Sequence, residues 1–156
     1  MLSITLQTNK KKYLAYNTWR KKFFLSQTPK EGEVILHLLP WLLSLNHPLA
    51  PGYVKELQDP FHVFLIENSQ EILQKEFQYR KMFGIRDDLQ TVRFLSRGRI
   101  IEGIYTIGSV GTISQTSQSD CDIWICIDRS AFSDEEVTFL NRKINLIKGC
   151  LDSQIR

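Results

Sequence analysis

Apolar residues recur at helical spacing in several stretches of the chain, and two shorter runs read as strands. In residues 9–26, Tyr13, Tyr16, Trp19, Phe23 and Phe24 fall at steps of three and four, with Lys10, Lys11, Lys12 and Arg20 between or before them. The pattern predicts an amphipathic helix. A core-facing aromatic stripe with a solvated basic face outweighs a nucleic-acid or lipid surface. Thr28-Pro29 breaks this helix and starts the next, because proline suits the first helical position. A second helix is expected over 31–45, with Val34, Ile35, Leu38, Leu39, Leu42 and Leu43 apolar and Pro40 kinking or restarting it. The proline- and glycine-rich residues 46–53 stop it.

Residues 61–66 read as a short strand. A third helix is expected over 68–83, with Ile72, Leu73, Phe77, Tyr79 and Met82 on one side, Asn68 or Ser69 as its cap and Gly84 as its end. Residues 85–103 mix charged and apolar positions and read as a linker, with a short element near 92–95. Arg86, Arg93, Arg97 and Arg99 are expected on its solvated surface. Residues 104–107 and 121–127 are β-prone. Ser133 and Glu136 form a capping box that opens a last helix reaching about Leu151. Its stripe of Val137, Leu140, Ile144, Ile147 and Leu151 should pack on the sheet. The fold class is therefore α+β: a helical part over 1–84, then a core of sheet and helices over 85–156.

Composition narrows this picture only slightly. A chain of 156 residues with 42% hydrophobic and 24% charged residues holds one ordinary globular core. The net charge of +3 is too mild to imply nucleic acid, and none is expected as a partner. The three cysteines, Cys121, Cys126 and Cys150, fit neither zinc nor redox spacing and read as buried, reduced thiols of a cytoplasmic protein. The histidines show no metal-ligand spacing. No apolar run nears the ~20 residues of a membrane span, so no stable membrane insertion is expected. The N-terminus places its charges after its apolar residues, the reverse of a signal peptide.

The chemistry concentrates in residues 103–128. Asp120 and Asp122 open an otherwise apolar strand, where aspartate is a poor fit. Two apart on a strand, they share a face and repel each other. A hard divalent cation resolves that conflict, and Mg²⁺ with phosphate oxygens is the natural choice. Upstream, Gly108 permits close backbone approach and Ser109 adds a hydroxyl. A helix starting there would add an anion site.

Gly108-Ser109 followed about ten residues later by Asp120-Cys121-Asp122 resembles the nucleotidyltransferase superfamily related to DNA polymerase β. Residues 105–109, Gln115 and residues 119–126 narrow the likeness to the N-terminal catalytic region of bacterial class I adenylate cyclases. Residues 38–40 and 47–53 are similar to that family too. The resemblance implies a partial nucleotidyltransferase-type mixed sheet with flanking helices, and conversion of ATP to 3′,5′-cyclic AMP and pyrophosphate. It implies Asp120 and Asp122 as catalytic ligands of Mg²⁺, expected as a two-metal site, and Gly108 and Ser109 as contacts to the β- and γ-phosphates. Gln115, Ser117 and Ser119 either touch the phosphates or support the loop. The superfamily's third carboxylate has no good match: Asp128, Asp134 and Asp152 are all poorly placed. The chain therefore reads as an N-terminal piece of a longer enzyme with a regulatory C-terminal region. Two alternatives stand beside this: transfer of a nucleotide to a protein, RNA or small-molecule acceptor, and a non-catalytic module binding a nucleotide or a partner.

Overall fold

The computed structural model describes residues 2–86, 99–116 and 119–155. Helix α1 (Leu2–Gln27) starts earlier than the aromatic stripe suggests, since no breaker precedes residue 9. Only its C-terminal part reaches the core, through Phe24. Most of the aromatic stripe stays outside it: Tyr13, Tyr16 and Trp19 are exposed, and Trp19 stacks between Tyr16 and Phe23. Thr28 leaves helical geometry and Pro29 begins the next helix, as expected, although the Thr28 hydroxyl caps no amide of it.

The second helical run has three pieces: α2 (Pro29–Glu33), a π-helical turn (Val34–Leu38) and α3 (Leu39–Leu43). The widened turn answers to Pro40. Proline carries no N–H and its ring crowds the carbonyl four residues back. Widening lets the Leu39 N–H donate to the Val34 carbonyl instead, so the chain passes the proline without breaking.

The run at 61–66 forms only a two-residue strand, β1 (His62–Val63). Leu65 adopts a left-handed conformation at φ 59°, which turns the chain out into a 3₁₀ turn (Ile66–Asn68). Helix α4 (Gln70–Met82) comes next. Ser69 precedes it without a side-chain cap, contrary to expectation; its carbonyl accepts from Leu73 instead. Ile72 and Tyr79 are buried, whereas Phe77 and Met82 are exposed, so the predicted stripe is only half right. Gly84, at φ +69°, ends the helix as expected, with the Ile85 N–H donating to Arg80 across it.

Strand β2 (Ile100–Ile107) begins inside the expected linker, and the arginines and short element between 87 and 98 lie outside the described residues. Arg99 is not simply solvated: it pairs with Glu136. β2 lies parallel to β1 and antiparallel to β3 (Asp122–Ile127), giving a sheet of order β1-β2-β3. The outer edge of β3 pairs with no strand among the described residues. An irregularity in register between Ile101 and Gly103 turns both Ile101 and Ile104 towards the core and leaves Tyr105 and Ile107 exposed.

The capping box forms: the Ser133 N–H donates to Glu136, and the Glu136 N–H to the Ser133 hydroxyl. It opens α5 (Asp134–Ile155), which runs beyond Leu151. One core cluster unites Trp41, Leu42, Leu43, Val54, Phe61, Ile101 and Ile147, drawn from both sides of residue 85.

One polar knot sits within this core and a second lies at its margin. The Lys143 side chain, on α5, is fully buried and donates to the carbonyls of Leu45 (2.5 Å) and Gly52 (3.0 Å). Burial pushes its ammonium down to about 7. Gly52, at φ +86°, leaves the room required, because a Cβ there would meet Ile147 at 2.6 Å. The second knot is Glu33, which accepts from Lys75, Tyr79 and His37; His37 in turn contacts Glu71 at 3.3 Å. Burial raises the Glu33 carboxyl, but those donors outweigh it and hold it at about 2.

Both knots can be tested by substitution. Lys143→Met leaves two buried carbonyls without a donor and should lower stability by about 2–4 kcal/mol, read from denaturant melts. Glu33 is held below its ordinary 4.5 in the folded chain, so the unfolded chain takes up its proton first as the pH falls. Its contribution is complete above about 4.5 and lost towards about 2, so Glu33→Gln should flatten the melting-temperature profile across that window.

Candidate functional site

The β2–β3 register brings the separate halves of the sequence motif together. Ile107, the last residue of β2, pairs with Asp122, the first of β3. The residues just beyond each end must then meet. A Cβ built on Gly108 has only the Asp120 carbonyl near it, at 4.0 Å, and Gly108 itself sits at φ +99°. One step further out, the Ser109 hydroxyl donates to the Ser119 hydroxyl at 2.8 Å.

The loop between the strands is a chain of turns. No helix starts at Ser109, so the anion site that a helix start would add is absent here. Thr112 donates through its N–H and hydroxyl to the Ser109 carbonyl, at 2.9 and 2.6 Å. Ser119 also accepts from the Thr116 N–H at 2.8 Å. Gln115 accepts from the Gly111 N–H at 2.7 Å and donates to the Thr28 hydroxyl at 3.2 Å. Ser109, Gln115 and Ser119 thus hold the loop in shape with their own side chains. Ser117 lies outside the described residues.

Helix α1 clamps the same loop. The Arg20 guanidinium donates to the Val110 carbonyl, and Gly111, at φ +71°, lies against the Arg20 backbone so closely that a Cβ would come within 2.7 Å of its carbonyl. No spacing in the sequence links residue 20 or 28 to residues 110–115.

Asp120 and Asp122 are both exposed, and neither side chain has a hydrogen bond or ion pair among the described residues. Among the described residues, their oxygens are therefore uncommitted. They border a cleft of about 640 Å³ along the outer edge of β3, walled by Ile35, Leu39, Ile123, Ile125 and Ile147. Glu31 and Lys148 also line it, the only ionisable side chains there among the described residues besides the two aspartates and Cys121. No local pattern groups these residues in advance of the fold. Cys121 is half-buried rather than buried. Burial first, then the charges of Glu31 and Asp122, push its thiol up to about 11, which makes it a poor nucleophile at neutral pH. Cys126 and Cys150 are half-buried as well. Among the described residues, no three His, Cys, Asp or Glu side chains converge as a metal cluster.

On the outer face of the sheet, Asp122 is followed two residues on by Trp124, which pairs across the strands with Tyr105. Both rings are exposed. The Tyr105 ring lies down over Gly103, where a Cβ would meet it at 2.5 Å. No helix among the described residues is long and apolar enough to cross a membrane.

Fold and site define a small α+β unit that sets two exposed carboxylates beside a Gly-Ser turn. Residues 5–154 match the family described as the adenylate cyclase NT domain, and the chain belongs to that family. It is 38% identical over 115 residues to an adenylate cyclase of Haemophilus influenzae, covering 72% of this chain and 14% of that one. It is 33% identical over 128 residues to an adenylate cyclase of Pasteurella multocida, covering 80% and 15%. An adenylate cyclase of Escherichia coli is 28% identical over 146 residues, covering 92% and 16%. The chain thus spans about one sixth or less of the length of these relatives. No solved structure matches it.

Gly111→Ala should strain the loop twice, through its positive φ and through the Arg20 carbonyl. The expected loss is about 1–3 kcal/mol in a thermal or denaturant melt.

Proposed function

We propose that this chain is the N-terminal part of an adenylate cyclase, which converts ATP to 3′,5′-cyclic AMP and pyrophosphate. The observation that carries the reading is the juxtaposition of Gly108 and Ser109 with Asp120 and Asp122 at one end of the β2–β3 pair, in a member of the adenylate cyclase N-terminal domain family. The sheet is read as the first part of a nucleotidyltransferase-type fold, in a cytoplasmic enzyme whose remaining chain supplies the third carboxylate and the regulatory contacts.

The exposed oxygens of Asp120 and Asp122 suit Mg²⁺, which accepts few protein ligands and completes its shell with water and phosphate oxygens. Bound there, Mg²⁺ supplies Lewis acidity towards the phosphate oxygens and the ribose hydroxyl. Asp120 and Asp122 hold that charge at the strand end. Gly108 and Ser109 orient the β- and γ-phosphates, because glycine lets backbone approach them without a Cβ in the way. In the reaction the ribose 3′-oxygen bonds to the α-phosphorus, the bond to the bridging oxygen breaks, pyrophosphate leaves and the hydroxyl proton passes to water. The loop bonds of Gln115 and Ser119 keep the turn in its place, a positioning task.

Asp120→Asn or Asp122→Asn, each made in the longer enzyme, should cut cyclic AMP formation roughly a hundredfold or more, with melting behaviour unchanged. Product analysis from labelled ATP is the readout. Undiminished cyclic AMP in either variant overturns the assignment of that aspartate, and a nucleotide left attached to an acceptor points to transferase chemistry instead.

A further inference from the structure

Of the three tryptophans, Trp41 is buried against Tyr79 and Phe83, and Trp19 is stacked between Tyr16 and Phe23. Trp124 differs. It is 60% exposed and has neither a ring contact nor a hydrogen bond among the described residues. An exposed indole beside other exposed apolar side chains is a ready contact surface.

Its position supplies the explanation. Trp124 shares the outer face of β3 with Asp122, two residues or about 7 Å away along the strand. Across the pair stand Tyr105, opposite Trp124, and Ile107, opposite Asp122, at 49% and 41% exposure. Tyr105 leans back over Gly103, towards the end of the pair that faces away from Asp122, and so leaves the indole uncovered on the Asp122 side. The register irregularity at residues 101–103 is what turns Tyr105 and Ile107 outward to complete this face. In a nucleotide, one sugar ring separates the α-phosphate from the base. On this face, one strand repeat separates the phosphate end of the site from an open aromatic surface.

We propose that Trp124 is the platform on which the purine base of the nucleotide stacks, with Tyr105 and Ile107 flanking it. The proposal rests on the nucleotide site assigned above and adds to it the base-binding surface. Stacking on an indole is tolerant of ring substituents, so the platform supplies affinity for a purine while edge contacts from elsewhere choose among purines.

The test uses the longer enzyme. Trp124→Leu should raise the KM for ATP roughly tenfold to a hundredfold, while inhibition by inorganic tripolyphosphate, which has no base, stays unchanged. Trp124→Phe should keep most of the affinity. In the unsubstituted enzyme ATP should quench tryptophan emission and tripolyphosphate should not, and Trp124→Phe should remove that quench; this readout decides the matter if the leucine variant does not fold. An unchanged KM in Trp124→Leu overturns the platform. So does a parallel weakening of tripolyphosphate inhibition, which signals general damage, and so does a drop in melting temperature without a KM change, which assigns the face to another part of the chain. If Asp122→Asn abolishes cyclic AMP formation while Trp124→Leu behaves as unsubstituted enzyme, only the platform falls. If Asp122→Asn has no effect, the site itself was misassigned.

Discussion

The pairing of Ile107 with Asp122 is the contact on which the site depends. Once those residues face each other, an antiparallel ladder leaves little freedom to the next residues of either strand. The backbone beyond β2 must pass the backbone that precedes β3, and Gly108 comes to lie beside Asp120. A slip of one residue would swap the faces, turning Asp122 and Trp124 inward and Ile123 and Ile125 outward. The apolar inner row resists such a slip, so the hydrophobic effect holds the charged row in place.

The surrounding helices fix the pair from two directions. Arg20, Thr28 and the space left by Gly111 tie α1 and the start of α2 to the loop above the carboxylates. From the other side, Lys143 anchors α5 to the segment around Leu45 and Gly52, and α5 carries Ile147, which lies against Gly52, and Leu151 into the shared core. A buried ammonium is a costly fastener, but it reads position: only backbone carbonyls at the right distance satisfy it. The helical first half of the chain is therefore part of the site's framework.

Local rules made much of this legible. Proline after Thr28, glycine at 84 and the Ser133–Glu136 box marked helix ends because each acts within a few residues. The Gly-Ser and Asp-x-Asp segments drew attention together through their order and spacing, and the β2–β3 register brings them to one end of the pair. The features that were not legible are non-local or hidden by parity. The start of β2 at Ile100 lies in a stretch without regular alternation, since the irregularity at 101–103 breaks the two-residue period. Phe77 and Met82 fit the helical stripe of α4, yet both are exposed. No sequence pattern singled out Lys143, and nothing at residue 31 or 148 announced a shared cleft with residue 120.

The open edge of β3 bears on how this segment behaves when handled by itself. Among the described residues its outward amides and carbonyls have no partner strand, and they lie next to a cleft with isoleucine and leucine walls, with no proline or lysine between Asp122 and Ile127 to discourage a second strand. Such an edge offers a template to any extended chain, including another copy of itself. Repulsion between the Asp122 side chains is weak protection, since it fades with rising salt. The segment is thus built to be adhesive along one line, and its solubility in isolation will depend on concentration and ionic strength more than on the quality of its core.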